Sequence, residues 1–126
     1  MTLYLTFDQV LAFHLAVTHG DDRIRDVGLI ASAVARPQAT AFGEDAYANV
    51  WEKAAALLQS LARNHGFIDG NKRTAWVAAM TFLEANGHPL DPMFDQLEAE
   101  EFVVAVAEGT YTAIGDIAAQ LPKYSS

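Results

Sequence analysis

The sequence has no cysteine, which excludes disulfides and thiolate metal sites and allows a reducing compartment. It has no long apolar run. The longest, WVAAM at 76–80 and FVVAVA at 102–107, are far too short to cross a bilayer. The opening MTLYLTFDQV lacks a basic stretch followed by a sustained apolar one, so no secretory signal is expected. Cations are scarce: 8 Lys and Arg stand against 16 Asp and Glu, for a net charge of −8. Such a balance argues against a broad nucleic-acid surface. These absences together lead us to expect a cytoplasmic protein that engages neither membrane nor nucleic acid.

The few cations are unevenly placed. Arg63, Lys72 and Arg73 fall within or beside one short stretch, whereas from Glu84 onward the only cation is Lys123. A local basic pocket on an acidic protein suits a small anion better than a polyanion. The acidic C-terminal third reads as a solvated face.

With 126 residues, 52% hydrophobic and 19% charged, the chain has the make-up of one compact domain spanning 1–126. Repeats and low-complexity segments are absent. Thr6 to Gln9 reads as a capping box that opens a helix running toward Gly20, with His14 on its apolar stripe as a hydrogen-bonded core residue. Asp26 can cap a helix that Pro37 ends. PQATAFGED at 37–45 has turn chemistry and reads as a loop with a small extended flap. Further helical patterns cover 46–64, 72–86, 95–108 and 112–121, the last stopped by Pro122. The second of these four is apolar nearly all round, which predicts the central, most buried helix. The expected architecture is all-α: a compact bundle of about six helices with a short flap loop.

Between the helices at 46–64 and 72–86 lies HGFIDGNKRT, residues 65–74. An ordinary connection needs fewer charged and hydrogen-bonding groups. Gly70 can turn the backbone so that successive amides converge on an anion, at a point where the next helix leaves its first N–H groups unpaired. The helix dipole adds to this, and Lys72 and Arg73 bring full positive charge. Phosphate is the obvious anion, although the spacing is not that of a Walker A loop. His65 is a candidate general base for a hydroxyl. Asp69 offers a hard oxygen to Mg²⁺. Asn71 can position either phosphate or the loop itself, and Phe67 anchors the loop in the core. Each residue alone has a plain turn or surface explanation; in one loop at the mouth of a buried helix they read as a site.

HGFIDGNKR closely resembles the active-loop signature of the Fic/Doc superfamily, His-x-Phe-x-Asp/Glu-Gly/Ala-Asn-Gly/Lys-Arg. Lys72 stands where the AMP-transferring Fic enzymes usually carry glycine, and is the mark of the Doc (death-on-curing) toxin branch. The stretches 25–38 and 52–67 also look Doc-like. Two positions depart: Gly66 replaces a frequent proline, and Gly70 stands where the phage-type Doc has alanine. The resemblance implies a helical Fic fold and the toxin half of a toxin–antitoxin pair. It implies a protein kinase that moves the γ-phosphate of ATP to a threonine or serine hydroxyl of a translation factor, elongation factor Tu being expected, and so halts translation. His65, Asn71, Lys72 and Arg73 would then be catalytic, Gly70, Asn71, Lys72 and Arg73 nucleotide-binding, and Asp69 the Mg²⁺ ligand. AMP transfer to a protein hydroxyl is one alternative, and a catalytically silent nucleotide- or partner-binding protein another. An in-chain inhibitory motif is not expected, because its nearest match, VAVAEG at 104–109, begins with Val104 instead of a hydroxyl residue. Restraint would fall to a cognate antitoxin whose segment folds into a groove.

Overall fold

The computed structural model describes residues 1–126. The chain folds into six helices: α1 (Phe7–Val17), α2 (Val27–Ala35), α3 (Val50–Arg63), α4 (Asn71–Ala85), α5 (Gln96–Glu108) and α6 (Ile114–Gln120). Two 3-10 turns, Arg36–Gln38 and Leu121–Lys123, each carry a proline in their first positions. One two-stranded hairpin, β1 (Thr40–Ala41) with β2 (Glu44–Asp45), completes the fold. No helix is long and apolar enough to cross a membrane.

The caps are local chemistry. At α1 the Gln9 amide donates to the Thr6 hydroxyl, and the Gln9 side chain accepts from the Thr6 amide at 2.8 Å. Asp26, Asn49 and Asp95 accept from the third residue of α2, α3 and α5 respectively.

Three expectations need correction. The third helix begins at Val50, not at residue 46, because Ala46 donates to Ala39 and continues the hairpin while Asn49 supplies the cap. The last helix is confined to Ile114–Gln120, since Ala113 starts it in extended conformation and Leu121 already belongs to the 3-10 turn. Finally, α3, rather than α4, is the most buried helix. Every residue from Lys53 to Ala62 is buried, whereas α4 keeps Glu84, Lys72 and Arg73 exposed. The reason lies in its neighbours: α3 packs against α2, α4, α5 and α6, and its alanines admit them closely.

The small extended flap expected within 37–45 is a two-stranded hairpin. Phe42 (φ 54°) and Gly43 (φ 81°) both take left-handed conformations, the two-residue turn whose twist matches antiparallel strands. Phe42 is wholly exposed at the tip. Its base is held by Lys53, whose ammonium donates to the Pro37 carbonyl at 3.2 Å and to Asp45 Oδ2 at 3.1 Å. The Lys53 side chain is only 2% exposed. Burial disfavours its charge, but Tyr4 and Asp45 outweigh that and hold its pKa above the ordinary lysine value.

Candidate active site

The loop from Asn64 to Gly70 is held at both ends and through its middle. Where α3 stops, His65 takes a left-handed φ of 52°, which turns the chain sharply. The Arg25 guanidinium accompanies that turn, donating from Nε to the His65 carbonyl at 2.6 Å and from Nη2 to the Asn64 carbonyl at 3.0 Å. The amides of Arg25 and Asp26 both donate to the Gly66 carbonyl, and Ile24 bridges Phe67. Residues 23–26 thus act as a short strand beside the loop.

Gly66 is needed for space. A Cβ there would lie 2.5 Å from Ile30 Cγ1, so with α2 this close any larger residue would force Ile30 to shift. Phe67 is 1% exposed and carries the loop into the core, as its place in the sequence led us to expect.

Asn71 closes the turn. Its Oδ1 accepts from the Phe67 amide at 3.1 Å and its Nδ2 donates to the Phe67 carbonyl at 2.9 Å. Both ends of this side chain are therefore engaged within the loop, and its work is to hold the turn. Gly70, with φ 75°, precedes α4 without a side-chain cap. Its own amide is taken by Asp69 Oδ1 at 2.8 Å. The amides free to face an anion are those that open α4, at Asn71, Lys72 and Arg73, and not that of Gly70.

Lys72 and Arg73 are exposed and neither pairs with a carboxylate. Arg73 Nη1 donates to the Val17 carbonyl at 2.9 Å, which ties the end of α1 to the start of α4. Both cations line a cavity of about 460 Å³ whose walls are otherwise mainly apolar and include Val17, Trp76, Phe94 and Val103. His65 and Asp69 are exposed on the loop and do not line that cavity. No three His, Asp or Glu side chains gather to hold a metal, so any cation at Asp69 would need most of its ligands from elsewhere.

Two residues beyond the motif complete the site. The sequence offered no signal for Arg25, because its contact with His65 spans 40 positions. His14 is a core histidine, as expected, but it lies directly beneath the motif. Its ring stacks on Phe67 at 3.6 Å between centroids and 9° between planes, and Nδ1 meets the Thr74 hydroxyl at 2.9 Å. Burial pushes the His14 imidazole below its ordinary pKa, with Asp21 opposing and Arg73 reinforcing the shift.

A comparison of the sequence with known families covers this loop. The model of the Fic/DOC family matches residues 4–83, from the capping box of α1 through nearly all of α4. This chain belongs to the Fic/DOC family. It is 55% identical over 107 residues to "Toxin Doc" of Mycolicibacterium smegmatis, covering 85% of this chain and 82% of that protein. It is 30% identical over 109 residues to "Protein kinase doc" of Escherichia phage P1, covering 84% and 83% respectively. The matched part of the family model includes every motif residue and both structural additions, His14 and Arg25.

Proposed function

We propose that this Fic/DOC protein is a Doc-type toxin acting as a protein kinase, with ATP as phosphate donor and a threonine or serine hydroxyl as acceptor. The observation that carries this reading is the uncapped start of α4 behind Gly70, flanked by the exposed cations Lys72 and Arg73, neither of which pairs with a carboxylate. Three backbone amides and two side-chain cations at one point suit a polyphosphate. The names of the two relatives, a toxin and a protein kinase, support the same reading.

In this reading His65 takes the proton of the target hydroxyl as its oxygen bonds to the γ-phosphorus. The bond to the bridging oxygen breaks and ADP leaves. Lys72 and Arg73 offset the charge that spreads over the transferring group. Asn71 acts by keeping Phe67 and Gly70 in place. Asp69 keeps one carboxylate oxygen free of the Gly70 amide and would hold Mg²⁺ together with phosphate oxygens and water; the ion would neutralise charge between the phosphates. Lys72 occupies the place where a glycine would leave open backbone for the inner phosphates. Its ammonium changes how the triphosphate lies, and this favours γ- over α-transfer.

The exposed hairpin 40–45 would pair with an extended segment of the substrate. That substrate is a translation factor, elongation factor Tu by the family resemblance, and the setting is the cytoplasm. A cognate antitoxin segment fits the largely apolar cavity bordered by Lys72 and Arg73, where it would block the nucleotide end of the site. The test uses a cell lysate and ATP labelled at the α or the γ position. Label reaching a protein band only from the γ position supports the kinase, and label only from the α position replaces it with AMP transfer. Unlabelled bands from both, with growth arrest unchanged in His65→Ala, would leave a binding protein without catalysis.

A further inference from the structure

We propose that His14 is a positioning residue for the phosphate-binding turn, one side chain that braces both of its legs from beneath. The inference rests on the polyphosphate reading of the α4 N-terminus. One leg is Phe67, whose ring lies flat on the imidazole and whose backbone is gripped by Asn71. The other is Thr74, whose hydroxyl meets His14 Nδ1 and whose amide donates to the Gly70 carbonyl at 3.0 Å. Between the legs, Gly70 backs onto the same ring: a Cβ there would lie 3.4 Å from His14 Cε1 and 2.6 Å from Thr18 Cγ2. Phe67 and Thr74, which flank the three free amides, are therefore both in contact with this imidazole, and Asn71 and Gly70 lie one step from it.

The ring is a poor choice for packing alone. It is fully buried, and its Nε2 makes no close hydrogen bond, its only polar neighbour being the Asp21 backbone. An aromatic hydrocarbon could stack on Phe67 without the cost of an unpaired polar atom. Only a polar ring can stack on one leg and hydrogen-bond the other. Its height is fixed in turn from α1, where the Thr18 hydroxyl donates to the His14 carbonyl at 2.7 Å and Arg73 reaches the neighbouring Val17 carbonyl. The charged groups facing it are Asp21 from the α1–α2 connection, Asp69 from the loop and Arg73 from α4. Asp21 is itself held by Arg23 at 2.8 Å.

The discriminating experiment is a double-mutant cycle read by binding rather than activity. Titration calorimetry with ATP and Mg²⁺, and with inorganic triphosphate, is performed on the full chain, on His14→Gln, on Thr74→Val and on the double variant, each with a melting curve. We expect each single variant to weaken both ligands by roughly three- to tenfold. The double variant should be no weaker than the worse single, because both substitutions cut the same link. Affinities equal to the unsubstituted protein, alongside lowered melting temperatures, would reduce His14 to a packing residue and overturn the proposal, as would losses that simply multiply. If His14→Gln does not fold, Thr74→Val alone decides, since valine keeps the shape and removes only the hydroxyl. An unsubstituted protein that binds neither ligand fails at the functional reading itself, an outcome distinct from intact binding that the variants leave untouched.

Discussion

The side chain of Asn71 grips the backbone of Phe67 in both directions, accepting from its amide and donating to its carbonyl. This pair turns a seven-residue connection into a rigid support for the first turn of α4. Replacing Asn71 by alanine leaves a buried donor and a buried acceptor unpaired, at a cost of about 1–3 kcal/mol. The expected outcome is a melting temperature several degrees lower, with triphosphate affinity reduced in proportion to loop disorder seen in the amide spectrum. Unaltered affinity would show that the loop keeps its shape without the clamp.

Gly66 should accept a side chain only if Ile30 gives way. In Gly66→Ala the new methyl meets Ile30 Cγ1 inside the core, and overpacking of this kind costs about 1–3 kcal/mol. Chemical denaturation measures it. The cost should shrink in an Ile30→Ala background, because the two sites share the same space.

Acid should weaken this protein through His14. Its folded pKa lies below the ordinary value of 6.5, so the unfolded chain binds the proton first as pH falls. Stability is complete above about 6.5 and drops from there down to the folded pKa. Denaturation midpoints followed from pH 7.5 to 5 should fall in the native protein. In a folded His14→Gln variant that part of the slope should vanish; an unchanged slope would assign it to other groups.

Lys53 offers a way to loosen the flap without touching the loop. Lys53→Met removes the ammonium that joins Pro37 to Asp45 but keeps the length of the stem. Amide exchange over 40–46 should quicken while that of α3 and α4 stays slow. Transfer to the protein substrate should fall, with ATP affinity unchanged. Parallel loss of both would deny the hairpin a docking role.

At the tip of the same hairpin, Phe42→Ser should lower substrate affinity and leave the folding free energy within about 0.5 kcal/mol of the original, since the ring is fully exposed. Steady-state kinetics with the protein substrate would show it as a raised KM. A raised KM for ATP instead would contradict the assignment of this hairpin to the protein substrate.

The amino-acid sequence by itself determined the six helices and most of their caps. These depend on hydrogen bonds between residues three or four apart, as at Thr6 with Gln9 and Asp95 with Glu98. It also marked residues 65–73 as a site, because cations, glycine and a histidine crowd one short stretch there. Tertiary structure alone decided what those residues do to one another. Asn71 was ambiguous until its partner proved to be backbone, and the free amides shifted past Gly70 once Asp69 had claimed its N–H. Arg25 and His14 entered only through contacts 40 and 60 positions away along the chain. The physical reason is range. A cap or a helical stripe is written in its own segment, whereas which ring lies under which loop depends on how α1, α2 and α4 close around α3, and no local spacing records that.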